Sequence, residues 1–326
     1  MVNISVFKSS NSKSEQLSTI EAFNIWNILR SRYISIETYQ FLRNFIHDRD
    51  FILIANNHLD DFQSQVATLE ALGKHFKLQV PTRPPAQIKI STQLEAITDK
   101  FVHRKFFSDL ISELKILSDA LTTSTTNDRL RKHLSSFVLD HLKNYEELYK
   151  FGKLKGWTDI EPAFTSGKPT KKEPIAVSEA YHLWEHLNYR YDQLELTNLY
   201  LNFVHDADFR AILQGGLSSL NSQIKILEKE STKFEVPLPE RPPASMSVTI
   251  DPEIMTDKSA YRTIFTGMQS ATSLHTRAVI DTIRNDPLRT VFFDFLKEEL
   301  NFYDKLVKYG KVKGWLHIVP TFRNMA

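Results

Sequence analysis

The sequence repeats itself. Gly152-Lys153-Leu154-Lys155-Gly156-Trp157 returns as Gly310-Lys311-Val312-Lys313-Gly314-Trp315, an offset of 158 residues. The same offset carries Trp26 to Trp184, Tyr33 to Tyr191, Glu37 to Glu195, His47-Asp48 to His205-Asp206 and Arg83-Pro84-Pro85 to Arg241-Pro242-Pro243. No gap is needed to hold the register. The chain is therefore a tandem duplication, and each copy of roughly 150 residues must bury a core of its own.

Composition decides what kind of core. Glycine (9) and proline (13) are sparse in 326 residues, which favours long helices over a turn-rich β fold. Within one copy the apolar spacing agrees. Ala22, Trp26, Leu29, Tyr33 and Ile36 recur every three or four residues, predicting a helix over about Ile20 to Ile46. The turn His47-Asp48-Arg49-Asp50 supplies an aspartate to cap a second helix, about Phe51 to Phe76, whose copy carries Gly215-Gly216 in its interior. A metal loop is the competing reading of that acidic turn; capping fits better, because the aspartates stand where a helix must start.

The next stretch, Lys77 to Ile97, holds Pro81, Pro84 and Pro85, and its copy is richer in proline still. It is expected to run extended. A helix of about 26 residues is about 39 Å long. Some 20 extended residues at about 3.3 Å each can cover that length, so this segment would return the chain overhead. A third helix then begins at Thr98-Asp99 and a fourth at Asn127-Asp128, matched by Asp286-Pro287, with proline suited to a first helical position. Gly152 is expected to stop the fourth helix. Trp157, Ile160, Pro162 and Phe164, with their counterparts Trp315, Ile318, Pro320 and Phe322, are expected to fold back as an apolar plug. The predicted organisation is one four-helix bundle over residues 1–164, a linker over 165–174 and a second bundle over 175–326.

Four helices with a long crossover between the second and third describe the ferritin-like topology. With the Arg-Pro-Pro crossover, the Asn-Asp start and the Gly-Lys-x-Lys-Gly-Trp ending, the chain resembles the domain-of-unknown-function family numbered 3231 over its whole length. The resemblance implies an all-α protein of tandem ferritin-like bundles, of the spore coat type found in endospore-forming bacteria. It implies no activity.

A ferritin-like bundle raises the question of a di-metal centre, which needs a Glu on each of two helices and Glu-x-x-His on the other two. On the second helix, Glu70 and Glu228 are followed three residues on by Gly73 and Ser231. On the fourth, Asp140 and Glu298 are followed by Lys143 and Asn301. The single Glu-x-x-His, Glu179-Ala180-Tyr181-His182, opens a first helix and stands alone. No metal or cofactor is therefore expected. A weaker set remains: Tyr33, Glu37, Gln65 and Tyr145, with their copies Tyr191, Glu195, Gln223 and Tyr303, is expected to face inward. It reads either as a hydrogen-bonded network fixing helix register or as the remnant of a metal or ligand site, the network being the simpler reading.

Catalysis finds no other footing. There is no nucleophile elbow, phosphate loop or dinucleotide turn, and no cysteine for thiol chemistry or disulfides. A net charge of +2, without aromatics interleaved among the lysines, gives nucleic acid no footprint. Met1 to Glu15 is polar and unlike a signal peptide, and no apolar run approaches the roughly 18 residues of a membrane span. The expectation is a non-enzymatic structural or interaction protein, cytoplasmic or spore-associated, with its protein partners and self-association left open. The alternative is a small-molecule or metal-binding module derived from a di-metal bundle.

Overall fold

The computed structural model describes residues 16–83, 97–159, 162, 164, 175–242, 255–317 and 319–320. Among these the protein is all-helical, with no strand. The helices are α1 (Thr19–Leu42), α2 (Arg49–His75), α3 (Asp99–Thr123), α4 (Asp128–Lys155), α5 (Val177–Leu201), α6 (Ala207–Lys233), α7 (Asp257–Asp281) and α8 (Asp286–Lys313). A 3-10 turn, Arg43–Phe45, closes α1, four residues short of the expected end. Packing divides the chain into two compact units. One gathers α1, α2, α4 and α3 from Lys105 onward; the other gathers α5 to α8 with the first turns of α3 through Arg104. The expected linker, the Arg-Pro-Pro crossovers beyond Arg83 and Pro242, and Ile160, Ile318 and Phe322 of the plug lie outside the described residues.

The starts are set by side chains the sequence displays. Asp48 accepts the Asp50 and Phe51 amides at 2.9 and 3.1 Å, and Asp206 accepts that of Phe209 at 3.0 Å. The acidic turns are caps. Thr98, Asn127, Thr256 and Asn285 do the same for α3, α4, α7 and α8.

The stops correct the sequence reading. Gly152 and Gly310 lie inside α4 and α8, and the chain leaves the helix at Gly156 and Gly314, whose φ angles of 69° and 66° favour glycine. Gly310 serves a different purpose, because a Cβ there would stand 2.0 Å from the Tyr261 hydroxyl oxygen. The bare backbone lets that ring pass and donate to the Leu306 carbonyl at 2.7 Å. Trp315 then packs among Phe209, Tyr261 and Tyr309, ring centres 5.5 to 5.7 Å away. Phe164 does not join a plug; it is 74% exposed. The Gly215-Gly216 pair leaves α6 unbroken, Gly216 lying against Phe302.

Each unit has its own apolar core. In the first, Leu29, Phe62, Leu69, Leu110 and Leu134 are buried; in the second, Leu183, Leu187, Ile224, Leu227 and Phe292. The helix α1 departs from a one-sided stripe. From Ser31 to Leu42 every residue is buried, polar ones included. No helix among the described residues is long and apolar enough to cross a membrane.

Candidate functional site

The centre of each unit is polar, and an arginine occupies it. Arg32 of α1 is 1% exposed. Its Nε donates to Gln65 Oε1 of α2 at 2.7 Å, and Nη1 pairs with Glu113 Oε2 of α3 at 2.5 Å. Its Nη2 lies 3.4 Å from His141 Nδ1 of α4, and the guanidinium stacks over Phe62 at 4.9 Å. All four helices of the unit thus meet on one cation. Ser31 and Ser35 donate to the other oxygen of Glu113, and His141 Nε2 donates to the Leu110 carbonyl at 2.9 Å. Burial, with Arg32 beside it, pushes the His141 imidazole down to about 3, so it stays neutral and accepts from the arginine.

The second unit builds the same centre from exchanged parts. Arg190, the counterpart of Arg32, pairs with Glu299 Oε2 at 2.8 Å and donates to His275 Nε2. Position 271, matching Glu113, is Ala271; position 299, matching His141, is Glu299; and His275 lies one turn beyond Ala271 on the same helix. The carboxylate has moved from the third helix of the unit to the fourth, and the imidazole from the fourth to the third. Burial alone would raise the Glu299 carboxyl, but Arg190 and His275 outweigh it and hold it below the usual range.

One bond differs. Gln223 turns its amide to Glu298 Oε2 at 2.7 Å. Arg190 Nε and Gln223 Oε1, which match the bonded pair of the first unit, are both buried without a protein partner. Both residues line a cavity of about 110 Å³, walled by Leu213, Gly216, Met268 and Phe302.

Of the residues singled out from sequence, Gln65 belongs to the arginine network and Gln223 lies beside its counterpart. Tyr33 donates to Glu70 at 2.6 Å and Tyr191 to Glu228 at 2.7 Å, away from the arginines. Tyr145 stacks on Phe107 and Tyr303 on Phe265, ring centres 5.1 and 5.2 Å apart. Glu37 and Glu195 are buried, and burial together with the charge of Asp192 pushes the Glu195 carboxyl up to about 7. The eight residues therefore do not converge on one point. Arg32 and Arg190 are what the sequence reading missed. The signal was present: Arg32 continues the inward stripe three residues after Leu29 and four before Ile36.

Glu179, the acid of the lone Glu-x-x-His, is a structural clamp. One oxygen accepts the Ala176 amide at 2.7 Å and the other those of Arg284 and Asn285 at 2.8 Å, tying the start of α5 to that of α8. Glu21 does the same in the first unit, with the amides of Ser18, Thr126 and Asn127. His182 lies close to Glu185 and His186; among the described residues these are the one group of metal-ligating side chains in mutual reach.

The residues present do not fit a di-metal centre. A guanidinium paired with a single carboxylate fills each centre, and a divalent pair beside it would meet its charge at low dielectric. Fold and interior together define a class: all-helical proteins of duplicated units, each closed on a buried arginine. The chain belongs to the family described as "Protein of unknown function (DUF3231)", whose model matches residues 163–325. A solved structure from Bacillus halodurans, described as a "putative spore coat protein", is 22% identical, covering 46% of this chain and 96% of that one with a TM-score of 0.43. No curated protein matches.

Proposed function

We propose that the protein is a non-enzymatic structural or interaction protein, made of two tandem ferritin-like four-helix bundles with proline-rich crossovers, residues 165–174 linking them. One observation carries the reading: in each unit the interior is closed by an arginine whose partners come from the unit's own helices. Such a centre fixes helix register. The family resemblance adds a cytoplasmic or spore-associated location in an endospore-forming host.

The test is iron oxidation by the purified full-length chain. Supplied with ferrous iron and oxygen, it is expected to consume oxygen no faster than buffer does. Saturable oxygen consumption, with two irons bound per unit, would sink the reading.

A second reading is favoured by the unpartnered Arg190 Nε and Gln223 Oε1. A small polar molecule, accepting from the arginine and donating to the amide, fits the cavity of the second unit. Native mass spectrometry of the same preparation decides it, a co-purifying mass supporting this reading and a bare chain opposing it.

A further inference from the structure

The stretch His182-Leu183-Trp184-Glu185-His186 places three ligating side chains on one face of α5, at spacings of three and four residues. His182 Nε2 donates to Asp281 Oδ2, at the end of α7, at 3.1 Å. His186 Nδ1 donates to the His182 carbonyl at 2.7 Å. Because a carboxylate and a carbonyl only accept, these bonds fix both tautomers. The lone pairs are left on His182 Nδ1 and His186 Nε2. Both atoms are buried, on residues 1% and 0% exposed, and neither has a hydrogen-bond partner.

Glu185 completes the group. Tyr181 donates to its Oε1 at 2.8 Å, which turns Oε2 toward His182 Nδ1, 3.5 Å away. One ligating atom from each of His182, Glu185 and His186 lies within 4.8 Å of the other two. Imidazoles oriented from behind by a carboxylate and a carbonyl are the usual supporting arrangement of metal-bound histidines. A buried lone pair with neither donor nor metal leaves its desolvation uncompensated.

The first unit shows how the same junction closes without a ligand. Its counterparts of His182, Glu185, His186 and Asp281 are Asn24, Asn27, Ile28 and Thr123. Asn24 donates to the Ala120 carbonyl at 3.3 Å and to the Thr123 and Ser124 hydroxyls at 3.0 and 3.2 Å. That amide is satisfied by protein alone.

We propose that His182, Glu185 and His186 form a mononuclear site for a divalent transition metal, present in the second unit only, with Asp281 orienting His182. Two imidazoles and one carboxylate are a ligand set that suits zinc, with water in the fourth position. The site is separate from the arginine centre and leaves the non-enzymatic reading standing.

The experiment is zinc titration of the chelator-treated full chain by calorimetry, with cobalt as a spectroscopic probe. One equivalent of zinc is expected to bind at micromolar concentration or below, and cobalt to give visible bands of a tetrahedral site. Asp281→Asn is expected to weaken binding about tenfold to a hundredfold. The triple variant H182N/E185N/H186I, which installs the first unit's own residues, is expected to abolish it while melting like the chelated wild type. Should that variant fail to fold, Glu185→Gln, at a partly exposed position, carries the test and is expected to weaken binding at least tenfold. A chelated wild-type chain that takes up no zinc at micromolar concentration overturns the proposal. Variants that bind as tightly as wild type overturn it equally.

Discussion

At the scale of single residues, the two units depend on neutral histidines. His58 is fully buried, and burial with His141 nearby pushes it down to about 3, as burial and Arg32 do for His141. A histidine whose folded pKa lies below its unfolded value stabilises fully above the unfolded value, near 6.5, and loses that contribution as pH falls toward the folded one. Between pH 6.5 and 5 each of the two should remove about 2 kcal/mol from the unfolding free energy. His141→Gln, which keeps a hydrogen-bonding side chain beside Arg32, is expected to remove about half of that slope, read by denaturant titrations at pH 7, 6 and 5. An unchanged slope would mean His141 is already protonated in the folded state. Neither histidine was legible beforehand, since sequence gives spacing and not depth. The arginines escaped for a related reason: a lone cationic residue on an apolar stripe reads as surface until its partners on three other helices are known.

At the scale of helices, starts were legible and stops were not. Asp48, Asp206, Thr98, Asn127 and Asn285 cap as their residue types and positions require, because an N-cap bond spans only three residues. Two glycines four residues apart, however, both look like terminators. Only a contact distant in sequence, Tyr261 against Gly310, tells the close-approach glycine from the left-handed one. The two should therefore respond differently to alanine. Gly314→Ala meets no neighbouring atom and forces only a left-handed backbone, at about 1 kcal/mol. Gly310→Ala must displace the Tyr261 hydroxyl and break its bond to Leu306, at about 2–3 kcal/mol. Differential unfolding of the two variants against wild type checks the order, and the reverse order would return Gly310 to the role of terminator. The clamps Glu21 and Glu179 were overlooked for the same reason, since they act on amides about 105 residues further along the chain.

At the scale of the whole molecule, duplication made the helical fold readable and hid the divergence of the interiors. Matching residues at the 158-residue offset draws attention to what the copies share, whereas the centres are chemically equivalent through residues that do not match. Glu113 and His141 face Arg32; Ala271, His275 and Glu299 stand at or near the corresponding places around Arg190. If each centre requires one carboxylate and one imidazole around its arginine, whichever helix supplies them, the exchange can be repeated by mutation. Glu113→Ala alone strips the buried guanidinium of its counter-charge and should cost about 3–5 kcal/mol. The variant E113A/L117H/H141E recreates the second unit's arrangement inside the first and should recover at least about 2 kcal/mol of that loss. Chemical denaturation of the single and triple variants measures the coupling directly. Loss in the triple variant equal to or greater than that in E113A would show that the two interiors are separate solutions tuned by their surroundings. Recovery would show that the second copy kept the charge balance of its arginine while its residues changed helices.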